Sequence, residues 1–209
     1  MKRQLLISVL LASLFSTPAF SGSNKIATAT AKDIRPLSVK VLKPRAESGD
    51  AIAQWQIGEL YAKGSGVPEN AAVAAEWYRR SAEQGNANAQ FELAMLYQLG
   101  IGVPQHYQRA LTWYHRAAMQ GHAAAQFHLG YMYFSGYGID QDYVVAYMLF
   151  NISAAAGHSL SKGSRESTAR FMTPNQIEEG QAMSRAWKVG KPINPYYSLQ
   201  FIALPNEPV

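Results

Sequence analysis

Two residues of this chain have the types and spacing of a catalytic pair. Ser159 and Lys162, in "SLSK", stand three apart, the spacing at which a lysine amine activates a serine nucleophile for acyl transfer. Such a pair would suit an envelope hydrolase acting on a β-lactam or on peptidoglycan. That chemistry also needs Ser-Asp-Asn and Lys-Thr-Gly partners, and neither triplet occurs in the sequence. The five histidines, His106, His115, His122, His128 and His158, show no His-x3-His or Glu-x2-His spacing that would set two metal ligands on one helical face. There are no cysteines, so disulfides, thiolate metal sites and thiol nucleophiles are excluded. Three Gly-x-Gly turns, at Gly64, Gly100 and Gly136, are not followed by the Lys-Ser/Thr of a phosphate loop. No metal and no cofactor is indicated, and the sequence reads as that of a non-enzyme.

The elements that carry these residues recur. Gly49, Gly85, Gly121 and Gly157 are spaced by 36 residues, as are Ala46, Ala82, Ala118 and Ala154, and Gln54, Gln90 and Gln126. A period of this size marks a solenoid, in which each unit buries its apolar face by stacking on its neighbours. Each unit holds two helical patterns. In the first, Ala53, Ile57, Leu60 and Tyr61 share a face, matched by Ala89, Leu93, Leu96, Tyr97 and by Ala125, Leu129, Met132, Tyr133. In the second, the stripe is Ala74, Trp77, Tyr78, Ser81 and Ala82, with its copy one period later. Gly100 is placed to close a first helix in the left-handed conformation. Asn70, His106 and Asp142 precede the second helices as caps. "SLSK" fills the slot of "ANAQ" and "AAAQ" one and two periods earlier, so its serine and lysine are explained by the repeat alone. The expected fold is an all-α solenoid of three 36-residue repeats and a capping unit. In the capping unit Arg165 replaces the core Ile57, Leu93 and Leu129, and "TPNQ" opens a last helix with a capping box.

The stretches from Ala53 to Val67 and from Ala74 to Gly85, with their copies at 89–103, 110–121 and 125–139, resemble the Sel1-like repeat, a relative of the tetratricopeptide repeat. The resemblance covers roughly residues 46–172. It implies an adaptor or scaffold for protein complexes, bacterial members being often periplasmic or exported. By the same likeness, the face opposite the core stripe of the first helices lines a concave groove that holds a partner peptide or protein. In this chain that face carries Trp55, Glu59 and Lys63, then Phe91, Met95 and Leu99, then Phe127, Tyr131 and Phe134. Trp55, Phe91 and Phe127 form an aromatic ladder that serves either as a binding surface or as packing between stacked repeats. Glu59 and Lys63 also read as solvated charges.

The ends of the chain differ from its middle. Lys2 and Arg3, the apolar run from Leu5 to Phe15, and Ala19-Phe20-Ser21 have the architecture of a Sec-type signal peptide spanning residues 1–21, with cleavage expected after Ser21. The protein is therefore expected in the periplasm or outside the cell, without an integral membrane anchor after cleavage. Residues 22–43 read as a linker and 44–190 as the solenoid. Loss of residues 1–21 removes two of the charges behind the formal net charge of +5, leaving too weak a positive field to indicate nucleic acid. Residues 191–209 form a proline-containing tail rich in apolar side chains, too apolar to be left in water. Its alternatives are docking in the groove, packing along the last helix or awaiting a partner, and the expectation carried forward is self-docking over part of the array surface.

Overall fold

The computed structural model describes residues 38–191 and 193; the proposed signal peptide, most of the proposed linker and residues 194–209 lie outside the described residues. Among the described residues the secondary structure is helical throughout. Three helix pairs form the array: α2 (Ala51–Lys63) with α3 (Ala71–Glu83), α4 (Ala87–Leu99) with α5 (Tyr107–Met119), and α6 (Ala123–Ser135) with α7 (Tyr143–Ala155). The second helix of each pair also packs on the first helix of the next, which is how a solenoid covers faces that a single pair leaves open. A further helix, α1 (Val39–Glu47), precedes the array and packs on α2 through Leu42 and Ala46 against Ala53 and Ile57. The linker expected up to residue 43 is thus helical from Val39. Pro44 inside α1 hid it, because proline interrupts most helical patterns.

Local chemistry fixes the helix ends. Asp50, Asn70, Asn86 and Asp142 accept first-turn backbone N–H groups through their side chains, and His106 and His122 do so through Nδ1. Gly64, Gly100 and Gly136 end the first helices at φ values of 63°, 69° and 72°, the left-handed region where a Cβ is disfavoured. The recurrent glutamines tie one unit to the next. Gln54, Gln90 and Gln126 each donate from Nε2 to the carbonyl of Ala46, Ala82 or Ala118 at 2.9, 3.0 and 3.2 Å. These are buried amides that would be costly to leave unpaired. Gly58 lets the ring of Tyr78 approach so closely that a Cβ would lie 2.5 Å from it.

The last unit departs from the repeat. Helix α8 (Ser161–Ala169) packs on α7, and Arg165 in the former core slot donates to Asn151 Oδ1 at 2.8 Å. Helix α9 (Pro174–Ala186) begins with the expected capping box between Thr173 and Gln176. It lies on α7, with its one buried residue, Gly180, against Tyr147. Beyond α9 the chain returns to the end of α5, where Gly190 N donates to Met119 O at 2.7 Å.

Candidate functional site

The first helices α2, α4 and α6 place residues 55, 91 and 127 at one repeat position, and 56, 92 and 128 at the next. Two seams run between successive repeats on this side, and their chemistry differs.

The first seam carries charge. Tyr78 O–H donates to Glu59 Oε1 at 2.7 Å, and Glu59 is paired with Lys63 one turn on. Glu92 faces this group from α4. Burial and then the charge of Glu59 push its carboxyl up to about 8, against a smaller opposing pull from Lys63. Burial, then the charges of Glu92 and Glu59, raise the Tyr78 phenol far above its usual range. Trp55 is partly buried, and its indole N–H is shielded without a hydrogen-bond partner among the described residues.

The second seam is aromatic. His128 stacks on Tyr114 with ring centroids 5.3 Å apart, and Phe91 packs on His128 at 5.5 Å and on His122 at 4.9 Å. Phe127 repeats the arrangement one unit on, stacking on His158 at 4.4 Å. Tyr114 O–H donates to Gln98 Oε1 at 2.6 Å. Burial holds His128 down at about 3 and His122 at about 4, so these two imidazoles are uncharged at neutral pH, and it lowers His158 as well.

This geometry revises the expected groove. Phe91 and Met95 are buried, at 8% and 3% exposure, and are not open anchors. Phe91 turns toward His122, the cap of α6, and Phe127 toward His158, in the turn before α8, so at these two positions the ladder is packing between repeats. His115 is buried too, because α5 is covered on nearly all sides. Glu59 is partly buried and Lys63 exposed. Leu99, Phe127 and Phe134 are partly buried, and Tyr131 is 41% exposed.

Two aromatic groups gather where α6 ends, and of their members only Tyr131 and Phe134 were expected at the site. Tyr137 stacks on Tyr107 at 5.2 Å and meets Tyr131 at 6.0 Å, while Phe171 packs on Tyr143 at 5.4 Å and on Phe134 at 5.7 Å. Tyr131, Tyr137 and Phe171 remain exposed. The sequence signal was the recurrence of Tyr107 and Tyr143 one period apart at the start of second helices.

The Ser-Lys pair is not assembled. Ser159 and Lys162 are both exposed, no hydrogen bond joins them, and Ser159 lies in the turn before α8. The serine that does meet a base is Ser161, whose Oγ lies 3.0 Å from His158 Nδ1 and donates to Ser153 Oγ at 2.8 Å. Ser161 is fully buried, so these bonds tie α7 to α8 with no path for a substrate. Among the described residues no group of three or more His, Asp or Glu side chains is placed to hold a metal ion, and no helix is long and apolar enough to cross a membrane.

Tandem helix pairs stacked through repeated glutamine, glycine and cap positions define an α-solenoid repeat protein. Three Sel1 repeats match, at residues 51–86, 87–122 and 123–158, and the chain belongs to the Sel1 repeat family. A Sel1 repeat protein from Oxalobacter formigenes, known from its crystal structure, is 35% identical, the match covering 62% of this chain and 97% of that one with a TM-score of 0.57. A protective antigen present in uropathogenic Escherichia coli strains, displaying an SLR fold, is 28% identical over 70% of this chain and 39% of its own length, with a TM-score of 0.55. No curated protein matches the chain. The Sel1 repeat fold is generally a protein-interaction scaffold.

Proposed function

We propose that this protein is an exported, non-catalytic scaffold of the bacterial cell envelope that holds a partner peptide or protein on the α2–α4–α6 side of its array. The observation that carries this reading is the exposure of Tyr131, Tyr137 and Phe171, at 41%, 39% and 59%, in two aromatic groups that α6 carries through Tyr131 and Phe134. Exposed aromatic surface of this kind is what binding hot spots use. Leu99 adds a partly exposed apolar contact on the same side. Export rests on the basic, apolar and small-residue order of residues 1–21. Intact mass of the protein from the envelope fraction should show a chain starting near Gly22.

The binding claim is tested by placing a photo-crosslinking amino acid at position 131 or at position 76 in intact cells. Glu76 is exposed on α3, outside the proposed face. Adducts are expected from 131 and not from 76. Equal adducts from both positions, or none from 131, would reject the face.

A further inference from the structure

The most informative contact lies after the last helix. Gly190 N donates to Met119 O at 2.7 Å, Trp187 Nε1 donates to Lys191 O at 3.1 Å, and Ile193 is only 2% exposed. Val189 and Gly190 line a cleft of about 520 Å³ together with Gln90, Arg116, Met119 and Gln120. Gln90 lies in the first turn of α4, and Gly121, which Val189 approaches, stands just before His122, the cap of α6. The chain is therefore anchored at the edge where α4 and α6 begin, after leaving α9, which lies on α7. Sixteen residues, 194–209, follow, with Tyr196, Tyr197, Leu199, Phe201, Ile202 and Leu204 among them.

We propose that residues 194–209 lie across the face between α4 and α6, running from Ile193 toward Tyr131 and Tyr137, and occupy the site in place of a partner. This inference rests on that face being the binding side, and it names what regulates access to it. Reach permits it. A thirteen-residue helix is about 20 Å long, and sixteen extended residues span up to about 50 Å. The chemistry matches as well. Six large apolar side chains within sixteen residues favour burial, and the exposed Tyr131 and Tyr137 lie at the far end of that path. Pro195, Pro205 and Pro208 stiffen the tail toward an extended form, which lowers the ordering cost of docking. A partner would have to displace the tail, so its apparent affinity would fall by the fraction of chains in which the face is free.

The absence of cysteine from the natural chain makes disulfide trapping clean. Full-length protein carrying Ser198→Cys with Ser135→Cys, one turn beyond an intact Tyr131 on α6, is compared with Ser198→Cys with Glu76→Cys under mild oxidation at low protein concentration. The inference predicts an intramolecular disulfide for the first pair at about tenfold or more the yield of the second, reflecting a high local concentration at the face. Equal yields overturn it, and so do disulfide-linked dimers, which would make a second copy the occupant. A parallel titration separates this inference from the reading beneath it. A synthetic peptide of residues 193–205 is added to full-length Phe201→Ser/Ile202→Ser protein, with and without Tyr131→Ser. Peptide binding that depends on Tyr131, without the intramolecular disulfide, leaves the face as a binding site and removes the tail as its occupant. Neither peptide binding nor disulfide removes both.

Discussion

Glu92 and His128 stand at one position of two successive repeats, yet their seams behave as opposites. Glu92 faces Glu59 and Lys63, and its carboxyl is pushed up to about 8. His128 is stacked on Tyr114 and Phe91, and its imidazole is held down at about 3. The backbone around them is the same: thirteen-residue helices, equivalent caps, and glutamines bonded to equivalent carbonyls. The repeat fixes where a side chain goes. The residue in the slot then decides whether the seam is a weak acid or a weak base. Both seams favour the uncharged form, as expected where burial outweighs neighbouring charges.

The largest expected effect concerns how tightly the repeats dock. Gly66 and Gly102 occupy the same turn position with φ values of 75° and 70°. A Cβ at Gly66 meets nothing within 4 Å, whereas at Gly102 it would lie 2.4 Å from the carbonyl carbon of Ala71 in the previous unit. Gly66→Ala should therefore cost about 1 kcal/mol, from backbone strain alone. Gly102→Ala should cost about 3 kcal/mol or more, because a backbone contact must also give way. Urea midpoints of the two variants check this, and equal losses would mean the turns do not dock as described.

A smaller effect should sharpen the contrast at the other end of the array. Gln84 and Gln120 donate to Gln54 Oε1 and Gln90 Oε1 at 2.7 and 2.8 Å. The third copy of that position is Ala156, and Gln126 Oε1 is left buried without a partner. Ala156→Gln should restore the bond and raise stability by about 1 kcal/mol, read as a shift in the denaturation midpoint. An unchanged midpoint would show that the third unit does not follow the glutamine pattern of the first two.

The repeat was legible because its recurrent positions serve the same contacts. Small residues, Gly58, Ala94 and Gly130, recur where helices approach closely, and Gln54, Gln90 and Gln126 each reach a carbonyl of the unit before. The capping box at Thr173 was readable for the same reason. What α9 packs on was not. It offers Gly180 as its one buried residue, so its sequence shows no apolar stripe naming a partner. The proposed site was only partly legible. Position 95 lies opposite the core stripe of its own helix, which says nothing about burial by neighbouring repeats, and Met95 is buried. Tyr137 and Phe171 lie outside the helices, where helical periodicity has no purchase.

The smallest effect is expected where sequence spacing was most suggestive. Ser159 is exposed and unbonded to Lys162, so Ser159→Ala should change stability by less than about 0.5 kcal/mol. A chromogenic β-lactam turned over by the wild type and spared by this variant would restore the hydrolase reading.

The claim that slot chemistry divides two equivalent seams is tested most directly by stability against pH in wild type, Glu92→Gln and His128→Gln. The pKa of Glu92 is raised by folding, from 4.5 to about 8, so its contribution is complete below about pH 4.5 and is lost as pH rises toward 8. His128 is a base held uncharged, lowered from 6.5 to about 3. The unfolded chain takes up that proton first, and stability is lost as pH falls from about 6.5 toward 3. Relative to wild type, Glu92→Gln should therefore gain stability between pH 5 and pH 8, and His128→Gln should gain between pH 7 and pH 5, each by about 1 kcal/mol or more. Opposite slopes of the two differences are the predicted result. Two differences that stay flat across pH, or that slope in the same direction, would contradict the account.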